Sequence, residues 1–302
     1  MHKFIERSAA GTTILTAAVA LNGCGVPAHS SMAGMGDRAA PSSIASPSST
    51  EPSSVADWTH AHGIHVTPDG ATVLVATHKG LIDYSKGRPE RIGPANDYMG
   101  FTGGGATLYA SGHPGAGSNL PDPLGLIGST DGGRTWVELS RQGESDFHAL
   151  TVTRGGLVGF DGTLVTTRDL KTWTRTTNQI QPYALAGRPD TTVVLATTEN
   201  GLRRSTDAGR TWTTVPNAPV VQFAALSGPS TAVGVAPDGT VHTSADAGQT
   251  WKQTGTVPDP VQAMTATKSG KGTQVWAVTA SGVQLSTDGG NTFNPYTGKA
   301  GQ

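Results

Sequence analysis

The sequence predicts an all-β fold, a six-bladed β-propeller, and two observations carry that expectation. The first is an octapeptide that recurs with few changes. It reads STDGGRTW at 129–136, STDAGRTW at 205–212, SADAGQTW at 244–251 and STDGGNTF at 286–293, with a shortened copy, TRDLKTW, at 167–173. Its aspartates, Asp131, Asp169, Asp207, Asp246 and Asp288, stand 38, 38, 39 and 42 residues apart. A period near 40 in strand-rich sequence marks the blades of a propeller. The second observation is what lies between the copies.

Three strand-like runs precede each octapeptide. The inner one is MGFTG, HALTVT, YALAG, FAALSG or AMTATK; a middle run such as ATLYAS, TVVLATT or TQVWAVT follows. LGLIG, GTLVT, NGLRR, GTVHT or SGVQL then leads into the repeat. A polar run after its aromatic residue makes a fourth strand. HGIHVTPDGATVLVATHKGLIDYSKG (62–87) has the same three runs with no octapeptide and adds a first unit. Residues 57–298 therefore form six units, and the last keeps its own fourth strand, TFNPYTG. Blades one and six are then expected to close by packing alone. Each octapeptide falls at the hairpin of strands three and four. There an Asp side chain accepts backbone N–H bonds and the glycines supply positive φ. A structural fastener explains the repetition better than a repeated ligand site.

Ahead of the propeller, residues 1–23 read as an export signal: Lys3 and Arg7, an uncharged apolar run, then small residues. The apolar run is short for a bilayer span. Cys24 is the only cysteine, so the exported domain is expected to be stable without disulfides. Residues 24–56 are rich in Ser, Pro, Ala and Gly and predict a disordered tether. LNGC resembles a lipobox, which implies lipidation of Cys24 and anchoring to the outer face of a bacterial cell membrane. Lys and Arg number 21 against 22 Asp and Glu. That balance leaves no basic stripe for a nucleic-acid partner.

The pattern S-x-D-x-G-x-T-W resembles the Asp-box (BNR) repeat of sialidase-like propellers. THAHGIHV, YASGHPG and DFHAL together resemble exported bacterial Asp-box lipoproteins commonly named glycosylhydrolases. The resemblance implies this fold and raises glycosidic-bond hydrolysis as an activity; fold and activity separate easily. The chain departs from sialidases. No Arg-Ile-Pro opens the domain, and Arg134, Arg203, Arg204 and Arg210 sit at or beside the repeats, which places them on the face opposite the expected mouth.

The start of strand one and the loop between strands two and three share that mouth. Superposed inner strands give a column of His62, Met99, His148, Tyr183, Ala224 and Met264, and two residues earlier His60, Asp97, Asp146, Gln181, Gln222 and Gln262. Residues two apart on a strand point the same way. His78 and His113 occupy matching loops of units one and two, and the second loop, ASGHPGAGSNLPDPLG, is long enough for a lid. His65 falls outside the pattern.

Three readings of the histidines stay open: hydrogen bonding around a wet channel, acid–base catalysis, and metal ligation. For a metal, His60, His62, His78, Met99, His113 and His148 are the candidate ligands. Copper, particularly Cu(I), is favoured by the thioether, zinc comes second, and Asp97 or Asp146 adds an oxygen. The leading expectation is a membrane-tethered, monomeric ligand-binding propeller. Its alternatives are a glycoside hydrolase, not a sialidase, using Asp97 and Asp146 on a glycan, and a scaffold for a protein partner.

Overall fold

The computed structural model describes residues 60–86 and 88–298. The expected signal segment, Cys24 and the tether lie outside them. The described residues form six four-stranded antiparallel sheets, each strand hydrogen-bonded to the next in sequence, and include no helix. The inner strands are Ala61–Val66, Asp97–Gly104, Ala149–Thr153, Pro182–Ala186, Phe223–Leu226 and Val261–Ser269. They belong to blades one to six in order. Every blade completes its four strands from one stretch of chain, and the inner strands of blades one and six are in contact.

Alternation along each strand sends side chains to the two faces of its blade in turn. The core is accordingly divided into six clusters, each lying between two neighbouring blades. Between blades three and four, for example, Val158 and Leu164 meet Val194, Ala196 and Trp212. The propeller therefore has no central core; its stability lies in its blade-to-blade faces.

The repeated octapeptide fastens those faces. In the second blade, Asp131 Oδ1 accepts the backbone N–H of Arg134 (3.1 Å) and of Thr135 (2.9 Å), and Oδ2 accepts the Thr135 hydroxyl. Asp207, Asp246 and Asp288 repeat this pattern. Bonds from Thr135 hold the Asp131 carboxyl well below the ordinary carboxylate range. The residue after each Asp is left-handed: Gly132, Ala208, Ala247 and Gly289 have φ of 74°, 60°, 58° and 78°. The next glycine has both a positive φ and a neighbour. A Cβ on Gly209 would lie 2.6 Å from Val158 Cγ2 of the preceding blade. The tryptophan then folds back, Trp212 Nε1 donating to the Gly209 carbonyl at 2.9 Å, and its ring fills the interface. The shortened copy keeps the function: Asp169 accepts from Lys171 and Thr172, and Leu170 takes the left-handed place at φ 63°.

Blade one has no octapeptide, so its interface with blade six lacks that aromatic residue. Trp276, 0% exposed, fills the gap from the middle of blade six together with Tyr296 and Tyr84. Its ring meets Tyr296 edge-on at 5.0 Å, and Nε1 donates to Thr267. Trp276→Ala should therefore destabilise the closure between first and last blades by about 3–5 kcal/mol. Val137→Ala, at an exposed site, should cost no more than about 0.5 kcal/mol. Urea denaturation of the two variants checks this; equal midpoints would remove Trp276 from the closure.

Candidate functional site

A channel of about 700 Å³ runs between the six inner strands. How those strands begin decides what its mouth contains. In blades one, two, four and six one extra residue interrupts the pairing with strand two: His62, Met99, Tyr183 and Gln262. In blades three and five, His148 and Gln222 hold the same place, each donating its N–H just before the first paired residue. The ring around the mouth is thus His62, Met99, His148, Tyr183, Gln222 and Gln262.

Three expectations change. In blades five and six the ring position belongs to Gln222 and Gln262, not Ala224 and Met264, because the inner strands of those blades begin two residues earlier than their apolar runs suggest. The bulge at His62 resets the alternation, and this brings His65 onto the channel wall deeper down, contrary to its expected exclusion. Gly103 leaves the room for it, since a Cβ there would come within 2.2 Å of His65 Nδ1. The third concerns the arginines. Arg203 stands mid-strand opposite Thr214 and lines an outer groove with Arg175 and Glu199, away from the repeat turn.

The histidines gather in two groups. In the first, His62 Nε2 lies 3.1 Å from His78 Nε2, and His78 Nδ1 is 2.9 Å from both oxygens of Asp97. One ligand atom from each of these residues lies within 4.8 Å of the others. His60 stacks on His78 at 5.6 Å and meets His62 edge-on at 4.9 Å. It flanks the group. In the second, Asp146 Oδ2 is 2.9 Å from His148 Nε2 and 3.3 Å from His113 Nε2, while His113 Nδ1 is 2.6 Å from Asp122. Met99 lines the channel in the ring between His62 and His148, and no polar contact joins it to either group.

Backbone chemistry explains how blade two serves both groups. Asp97 and His113 pair across strands one and two, and Gly112 next to His113 has φ 142°. A side chain there would sit 1.9 Å from the Asp97 carbonyl, so only glycine lets the strands carry these residues at this distance. The long loop after His113 is tied down through Gly115 N–H to Asn96 and Leu124 N–H to Gly112. Its contribution to the site is Asp122, which sequence reasoning passed over. The signal was a carboxylate nine residues after a histidine in a loop of fixed ends.

Opposed fields act on the two groups. Burial first, then the nearby His78 and His60, push His62 down from 6.5 to about 4, against the attraction of Asp97. The hydrogen bond with Asp122 raises His113 despite some burial, with Asp146 and Asp97 adding to it. The linkage signs differ. Stability arising from His62 is complete above about pH 6.5 and falls as pH drops toward 4. Stability from His113 is present below its unfolded value and lost as pH rises through its raised one. Titration of the ring carbons by NMR in metal-free protein should show His62 neutral at pH 5 and His113 protonating above 6.5; a reversed order would mean that the Asp122 contact is absent in solution.

Across the mouth the chemistry is different. Tyr183, 60% exposed, meets Phe223 edge-on at 5.4 Å, and Gln222 Nε2 donates to its hydroxyl.

No protein-family model matches the chain, and no curated protein does. Among solved structures it is similar to the GH74 xyloglucanase of Xanthomonas campestris, at 17% identity and a TM-score of 0.55. That match covers 78% of this chain and 38% of the xyloglucanase. It is similar also to the extracellular domain of a hybrid two-component system from B. thetaiotaomicron. There the identity is 12% and the TM-score 0.53, over 81% of this chain and 34% of that one. The chain thus spans little more than a third of either. At these identities the likeness is one of fold.

Proposed function

We propose that this protein is an exported, membrane-tethered Asp-box propeller that binds a metal ion at its channel mouth through His62, His78 and Asp97. The observation that carries the reading is the convergence of two imidazoles and a carboxylate, one donor atom from each, within 4.8 Å. Nothing in the repeat requires histidines there: the matching ring positions of blades four to six hold Tyr183, Gln222 and Gln262. Low proton affinity at His62 suits a ligand that must bind as neutral imidazole.

The donor set favours zinc, with copper second. Two nitrogens and an oxygen leave a fourth position open, as in catalytic and ligand-binding zinc sites. Met99 is outside this group, which weakens the case for Cu(I) that its thioether first suggested. The hydrolase reading is weaker. Asp97 and Asp146 are each bonded to imidazole, and a carboxylate so engaged serves better as a ligand than as acid or nucleophile.

Calorimetric titration of the metal-stripped full chain should show saturable zinc binding. His62→Ala and Asp97→Asn should each weaken it by roughly 100-fold, the upper end of losses seen even for outer-sphere partners. Binding untouched by both changes would return these residues to a structural role. For the tether, metabolic labelling with a fatty acid should tag the wild type and miss Cys24→Ser. Equal labelling of both would end the anchoring proposal.

A further inference from the structure

The side of the mouth away from the histidines is built as a seat for a flat ring. Among the described residues four large apolar side chains are exposed, and three of them, Leu120, Tyr183 and Val220, stand on the mouth face. Tyr183 is held in place and yet left open. Gln222 Nε2 donates to its hydroxyl at 3.1 Å, and Phe223 meets its ring edge-on at 5.4 Å with 63° between the planes. Even so, 60% of the residue is exposed. An apolar side chain fixed at two points loses little freedom when a partner covers it, so its surface is preorganised for binding. Two rings set at an angle make a corner in which a third ring can stack on one and meet the other at its edge.

The surroundings of this corner select flat rings over sugars. Ala184, Ala224 and Met264 line the channel beside it and offer no polar side-chain partner. A pyranose enclosed there would leave hydroxyl groups unpaired, which is costly; an aromatic ring carries no such cost. Of six blades in a ring the fourth stands opposite the first, so Tyr183 faces His62 across the mouth. Both line the same channel, whose 700 Å³ or so falls within the roughly 300–1,000 Å³ of small-molecule sites. An ion held by His62, His78 and Asp97 would have a fourth position open to an anionic donor. We propose that the mouth binds a small molecule with a planar aromatic ring and a carboxylate arm, the ring seated on Tyr183 and Phe223 and the carboxylate on the ion. This rests on the metal reading of the mouth and names the class of ligand that the reading leaves open.

The test is calorimetric titration of the full chain, zinc-loaded and metal-stripped, with four probes. Indole-3-acetate has the ring and the arm, 3-methylindole the ring alone, cyclohexylacetate the arm without a planar ring, and methyl glucoside is the sugar. Indole-3-acetate should bind the zinc-loaded chain most tightly of the four. Tyr183→Ala should weaken it by roughly 10–100-fold, the usual worth of one stacked ring, and Tyr183→Phe should restore most of the loss. Stripping the zinc should bring indole-3-acetate down to the affinity of 3-methylindole, which should depend on Tyr183 and not on zinc. Binding of indole-3-acetate indifferent to Tyr183→Ala, or weaker than that of methyl glucoside, would overturn the aromatic seat while zinc uptake stands. Equal affinity for indole-3-acetate and 3-methylindole in a chain that does hold zinc would overturn the contact between carboxylate and ion. If the chain takes up no zinc, the metal reading fails and the carboxylate contact with it. The seat is then decided by 3-methylindole, kept if Tyr183→Ala weakens its binding and overturned if it does not.

Discussion

Everything in this molecule depends on how one blade holds the next. A four-stranded sheet with both faces apolar cannot stand alone, and the aspartate turn solves this locally and repeatedly. Its carboxylate closes the hairpin by accepting two backbone N–H groups. The closed turn presents a glycine that lies flat on the preceding blade and a tryptophan that fills the space beside it. Position, backbone conformation and packing thus come from one eight-residue segment. Where blade one lacks it, Trp276, Tyr84 and Tyr296 occupy the corresponding volume. The constraint is on the interface, and the turn is one way to meet it.

The fasteners and the candidate site lie at opposite ends of the blades. This separation frees the mouth from the repeat. Five of six blades carry a form of the fastener, yet the ring at the mouth differs in almost every blade, from His62 through Met99 and His148 to Tyr183 and the two glutamines. A scaffold that stabilises itself on one face can vary the other at little cost. The result is a divided mouth, imidazole and carboxylate over blades one to three and an aromatic–amide side over blades four and five.

Electrostatics then sharpens the division. His62 is held neutral by burial and by its imidazole neighbours, while His113, bonded to Asp122, is drawn toward its charged form. Two residues of one type a short distance apart acquire opposite tendencies because one is buried, with histidines beside it, and the other is bonded to a carboxylate.

The sequence by itself determined the blade number and the chemistry of the aspartate turns. These follow from a local motif at a fixed period, and local hydrogen bonds and positive φ angles leave their mark in neighbouring residues. It also showed that histidines crowd the first three units and that His78 and His113 hold matching places, although His113 ends a strand and is not in its loop. Only the tertiary structure decided how they group. A bulge at His62 inserts one residue without changing composition or apolar pattern and turns His65 onto the channel wall, while Gln222 and Gln262 take the ring because their strands begin earlier than the apolar runs suggest. The pairing of His78 with Asp97, and of Asp146 with His113, joins residues on neighbouring blades. Asp122 reaches His113 only because its loop is pinned at both ends. Such contacts depend on the closure of the ring as a whole, and no period along the chain encodes them.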